Sequence, residues 1–74
     1  MKTTIINMKK TGQKIIDLRK KSGISVKEIQ NVFNFTNPTA IYKWQKGESL
    51  PTIDNLVILS RILNVKIDDI LETE

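Results

Sequence analysis

A chain of 74 residues makes one domain and leaves no space for a separate ligand-sensing or catalytic module. With neither cysteine nor histidine it has no disulfide framework or thiolate metal site and lacks the commonest metal ligand and acid–base group, so no cofactor is expected. No stretch approaches the roughly 20 apolar residues of a membrane span, and residues 1–10 lack the apolar run of a secretory leader, so the cytosol is the expected compartment. The net charge of +4 is unevenly spread. Ten Lys/Arg stand against Asp17 and Glu28 up to Gly47, giving +8; from Glu48 onward Arg61 and Lys66 face six acids, giving −4. The first two-thirds is thus attractive to a polyanion, and the acidic end should point away from it.

Residues 1–10 (MKTTIINMKK) show no helical period and read as a tail before a domain over 11–74, with Ile5 and Ile6 its one unexplained apolar pair. From Thr11 to Lys21, Ile15 and Leu18 share a helix face with Thr11 and Ser22, and Gly23 supplies the left-handed residue that stops a first helix. Ser25 and Glu28 form a capping box flanked by Ile24 and Ile29 at the staple positions, which starts a second helix running to about Phe33. Asn34 is its expected left-handed terminator, and Phe35 should plug the core from the turn.

Asn37 before Pro38 suits an N-cap with proline at the first helical position. The third helix, Pro38 to Lys46, carries Ala40, Ile41 and Trp44 in one arc at about 100° per residue, with Thr39, Tyr42, Lys43 and Lys46 opposite. Gly47 ends it. Thr52 caps a fourth helix with Leu56, Leu59 and Leu63 at core spacing, Asn64 closes that helix, and Ile67 to Leu71 form a short fifth. The expected core is Ile15, Leu18, Ile24, Ile29, Phe33, Phe35, Ile41, Trp44, Leu56, Leu59, Leu63 and Val65. The fold class is all-α, with five helices.

Two short helices joined by a tight turn, the second polar and basic outside and aliphatic inside, are what reading a DNA major groove requires. That groove is about 12 Å wide and admits one helix, whose N-terminal end reaches base edges while the preceding helix lies across the backbone. A plain helical hairpin with Tyr42 and Lys43 facing water would show the same pattern. The residues LRKKSGIS (18–25), Ile29, Phe33 and Phe35, AIYKWQKG (40–47), LPT (50–52) and the L-x-x-L-x-x-x-L-x-V run from Leu56 to Val65 add more. On these, from Gly12 to Leu71, the chain resembles the Cro/repressor-type (XRE) helix-turn-helix proteins, which are five-helix DNA-binding domains.

The resemblance implies a small transcriptional regulator of bacterial or phage type, chiefly a repressor, that binds a pseudo-palindromic double-stranded DNA operator as a weak homodimer. It implies base contacts from Pro38, Thr39, Tyr42 and Lys43, and phosphate contacts from Arg19, Ser25, Val26, Lys27, Asn37, Lys46 and Ser49. Lys43 suits guanine O6/N7, and as a flexible ammonium it suits a phosphate as well. The dimer contact falls to Ile67, Ile70 and Leu71 or to Ile5 and Ile6, and Ile70 serves equally as core.

Several residues depart from the family pattern. Val26 stands where a phosphate-binding glutamine is frequent, which leaves the helix-end amides and Lys27 to hold the phosphate. Gln30 and Ser60 replace small alanines at packed contacts and would need hydrogen-bond partners. The turn from Asn34 to Asn37 is one residue longer than the common pattern, and Glu48 is an unsuited charge beside DNA. Gln45 stands opposite Arg19 where the family pairs an arginine with a glutamate; its carbonyl can still accept one hydrogen bond from the guanidinium, and the charge left unneutralised should let Arg19 lean toward a phosphate. The competing class is a protein-interaction module of the same fold, an antitoxin or adaptor. An enzyme is disfavoured, since the acids are scattered and no activated nucleophile or phosphate-cradling glycine loop is present.

Overall fold

The computed structural model describes residues 5–74 and contains five helices: α1 (Met8–Ser22), α2 (Val26–Phe33), α3 (Thr39–Lys46), α4 (Ile53–Leu63) and α5 (Ile67–Ile70). Among the described residues the extended pairing is a single antiparallel bridge between Ile6 and Thr73. Most boundaries follow from local chemistry. The capping box closes both ways, with Glu28 N donating to Ser25 Oγ at 3.0 Å and Ser25 N to Glu28 Oε1 at 3.3 Å. Gly23, Asn34, Gly47 and Asn64 all take the left-handed conformation that releases their helices. Thr52 Oγ1 accepts from Asn55 N at the start of α4.

The start of α1 corrects the sequence expectation. The helix begins at Met8 rather than Thr11, so residues 8–10 belong to it and not to a tail. Asn7 is its N-cap, the side chain accepting from Lys10 N at 2.9 Å, and a polar first turn disguised that cap. The preceding residues are tied to the other end of the chain. Asn7 N donates to Glu72 O at 2.8 Å and Glu74 N to Ile5 O at 3.0 Å. Thr11, 1% exposed, holds the same C-terminal segment: its hydroxyl accepts from Glu72 N at 3.0 Å and donates to Glu72 O at 3.4 Å.

The core gathers Ile15, Ile29, Ile41, Trp44, Leu56, Leu59, Leu63 and Ile70, with Leu18, Ile24, Phe33, Phe35 and Val65 packed at its margin. Ile70 is fully buried, which removes it from any contact with a second copy. Gln30 and Ser60, buried like Thr11, also find partners. Gln30 Nε2 donates to Phe35 O at 3.2 Å, and Ser60 Oγ donates to Val57 O at 2.7 Å, one turn back on its own helix. No described helix is long and apolar enough to cross a membrane.

Candidate nucleic-acid interface

α3 is the element on which the candidate residues converge. Its eight residues span about 12 Å. Ile41 and Trp44 are buried, while Thr39, Tyr42, Lys43 and Lys46 are exposed. Positions i, i+3, i+4 and i+7 lie along one stripe of a helix, so these four side chains form a continuous polar and basic edge. Among the described residues neither Lys43 nor Lys46 is in an ion pair; the one such pair joins Lys14 to Glu72 at 3.5 Å. The amide of Thr39 is met by Asn37 Oδ1 at 3.0 Å, and Tyr42 N donates to Pro38 O at 3.1 Å. The first helical residue is thus Thr39, with Pro38 at the cap position and Asn37 capping from one residue further out. The Asn37 carboxamide NH₂ stays exposed beside that helix end.

The inner side of α3 is held by three segments, α1, α2 and the turn that follows α2. α1 lies against it so closely that a Cβ on Gly12 would stand 2.5 Å from the carbonyl oxygens of both Trp44 and Gln45. Gly47, at φ +75°, ends α3 with its Cα pressed on the backbone of Lys9, where a Cβ would come within 2.8 Å of the Lys9 Cα. Arg19, near the end of α1, donates through Nε to Gln45 Oε1 and through Nη1 to Ile24 O, each at 3.1 Å. One guanidinium therefore joins α1, the entry to α2 and the end of α3. The expected bond from Arg19 to Gln45 is thus present, and Arg19 is half-buried, tied also to Ile24 O, with no carboxylate paired to it among the described residues. From α2 and the turn, Phe33 and Phe35 stack with centroids 5.1 Å apart, and each meets the Trp44 ring edge-on, at 5.5 and 6.0 Å.

The remaining candidates surround this edge unevenly. Ser25 and Lys27 are exposed at the start of α2, where the first amides of a helix have no intrahelical partner. The Val26 side chain packs on the core margin, so only its amide is available to a ligand. Ser49 is half-buried in the loop after α3, its amide and that of Glu48 both directed to Lys43 O. Lys9 went unnoticed in the sequence. Its contact with Gly47 puts a basic residue of α1 beside the Lys46 end of α3. The Lys9-Lys10 pair was the available signal, but it acquires meaning only once α1 is known to begin at Met8.

Residues 15–70 match the helix-turn-helix family of XRE type. The fold is similar to two solved structures of BldD. One is a crystal structure of the DNA-binding domain of BldD, with a TM-score of 0.72 and 18% identity over 88% of this chain and 93% of that one. The other is the S. venezulae BldD DNA-binding domain, also at TM-score 0.72 and 18% identity, over 88% of this chain and 96% of that one. No curated protein sequence matches the chain. At this level of identity the two structures speak to the fold alone.

Proposed function

The chain belongs to the helix-turn-helix family of DNA-binding regulators, and from that premise we propose that it acts as a sequence-specific repressor that reads the major groove of an operator with α3. The observation that carries this reading is the exposed stripe Thr39, Tyr42, Lys43 and Lys46 on a helix whose opposite face is buried. Thr39 and Lys43, with Pro38 and Tyr42 beside them, contact bases. Asn37 through its carboxamide, Ser25 and Lys27 with the first amides of α2 including that of Val26, Lys46 and Ser49 contact phosphates, and Arg19 keeps its second Nη group for the same purpose. Residues 5–74 act as one unit, working in the cytoplasm by binding rather than catalysis.

Two copies occupy a pseudo-palindromic site, because one domain with a handful of phosphate contacts binds too weakly to be specific. Ile5, 57% exposed beside the last residues of the chain, is available to such a pairing, as are the exposed margins of Ile67 and Leu71. Selection from a pool of random duplexes tests the proposal. It should enrich an inverted repeat, and binding to it should fall steeply as salt rises. Sedimentation of the saturated complex should give two proteins per duplex. Salt-insensitive binding with no enriched sequence would point instead to a module that binds another protein.

A further inference from the structure

We infer that Gln30 is a positioning residue for the reader helix, its carboxamide fixing the turn between α2 and α3 and so deciding where Thr39 and Lys43 stand against a duplex. The inference rests on the DNA-binding role proposed above. Gln30 is 8% exposed, and a polar side chain is costly to bury unless it is hydrogen-bonded. Both main-chain groups of Phe35 answer it. Phe35 N donates to Gln30 O at 3.1 Å, and Gln30 Nε2 donates to Phe35 O at 3.2 Å. The first bond is an ordinary feature of a helix end in which Asn34 turns left-handed. The second needs a donor on a side chain of this length, which an alanine at this packed contact would not supply.

Holding Phe35 at both ends has consequences further along the chain. Its ring stacks on Phe33 and meets Trp44 edge-on, so the turn is locked to the inner face of α3. Only Thr36, Asn37 and Pro38 separate Phe35 from Thr39, where α3 begins. The proline ring and the Asn37 to Thr39 hydrogen bond restrict two of those three. Little slack remains between the carboxamide of Gln30 and the first residue of the reader. The long turn and the unusual glutamine then form one device, in which the glutamine closes the extra length.

Gln30→Met keeps the side-chain length and removes the donor. Its preference for the duplex selected on the wild-type protein over a scrambled duplex should fall by up to about tenfold, the most that the loss of one part-buried hydrogen bond can transfer to the pose of α3. The slope of affinity against salt should stay unchanged, since no charge is altered. In the free protein, residual dipolar couplings of the α2 and α3 amides should report a changed angle between the two helices. If the methionine variant melts below the assay temperature, Gln30→Ala removes the donor without asking for space and is measured in the same way. A lower melting temperature with both preference and helix angle unchanged would overturn the inference and leave Gln30 a space-filling residue. Should the wild-type protein prefer no duplex at all, the DNA-binding role fails, and the helix angle alone decides whether Gln30 sets the pose of α3.

Discussion

Gly12→Ala places two opposed effects in direct competition. Alanine in place of glycine inside a helix gains about 1 kcal/mol from propensity. Against this, the new methyl would stand 2.5 Å from two carbonyl oxygens of α3, where carbon and oxygen ordinarily stop at about 3.3 Å. α1 and α3 must therefore part by roughly 0.8 Å at that point, the difference between those two separations. Overpacking typically costs about 1–3 kcal/mol. The upper half of that range applies here because the obstacles are main-chain atoms, which cannot rotate aside. The net loss is then about 1–2 kcal/mol. For a domain of this size each kcal/mol lowers the melting temperature by roughly 4–8 °C, so calorimetry should find a fall of roughly 4–16 °C. Affinity for the operator should fall as well, since the displaced segment of α3 carries Lys46. A variant melting at or above the wild-type temperature would refute the reasoning, because propensity would then have outweighed a contact that is not as tight as described.

Lys43→Ala should relax sequence preference in a binding titration across single-base operator variants; intact preference with a shallower salt slope would make Lys43 a phosphate contact instead. Lys27→Ala and Lys46→Ala should each weaken all duplexes about equally and lower the salt slope by about one unit, measured by affinity at several ionic strengths. Gln45→Glu turns the neutral acceptor of Arg19 Nε into a carboxylate at 3.1 Å. It should raise stability by no more than about 1 kcal/mol at this half-exposed position, while weakening DNA binding through the added negative charge. Unchanged melting together with unchanged affinity would mean that the pair contributes to neither.

The fold was legible wherever its instructions are local. Ser25 with Glu28, Gly23, Asn34, Gly47, Thr52 and Asn64 each act within a few residues of themselves, so all announce a helix end in the sequence. What escaped depends on partners far along the chain. Thr11 reads as one polar residue on a helix face until Glu72, 61 positions away, supplies both a donor and an acceptor for its hydroxyl. Asn7 was hidden because a cap is recognised by the apolar period that follows it, and the next buried aliphatic residue is Ile15. Residues 5–7 therefore looked like a loose tail, although their backbone is paired to the last residues of the domain. Gln30 was legible only as a misfit. Its chemistry demanded a partner, but nothing in the sequence could show that the partner is the carbonyl of Phe35, five residues on across a left-handed turn.

The outer face of α3 was readable for the same reason that its aim was not. Which side chains lie outward follows from about 100° per residue, a property of the helix by itself. Where they point relative to a duplex depends on ties from α1, the entry to α2 and the turn, all of which grip the inner side or the ends. The lever is unforgiving. A rotation of about 5° around the Lys46 end moves Thr39, about 10 Å away, by about 0.9 Å, nearly twice the tolerance of a well-placed polar contact, about 0.5 Å. The ties must therefore hold α3 to within a few degrees. Ties that meet no ligand then belong to the determinants of sequence preference as much as the residues on the stripe. They differ in one measurable respect. A substitution at Thr39 or Lys43 should change preference with the fold intact, whereas a substitution at Gly12 should shift preference and melting temperature together.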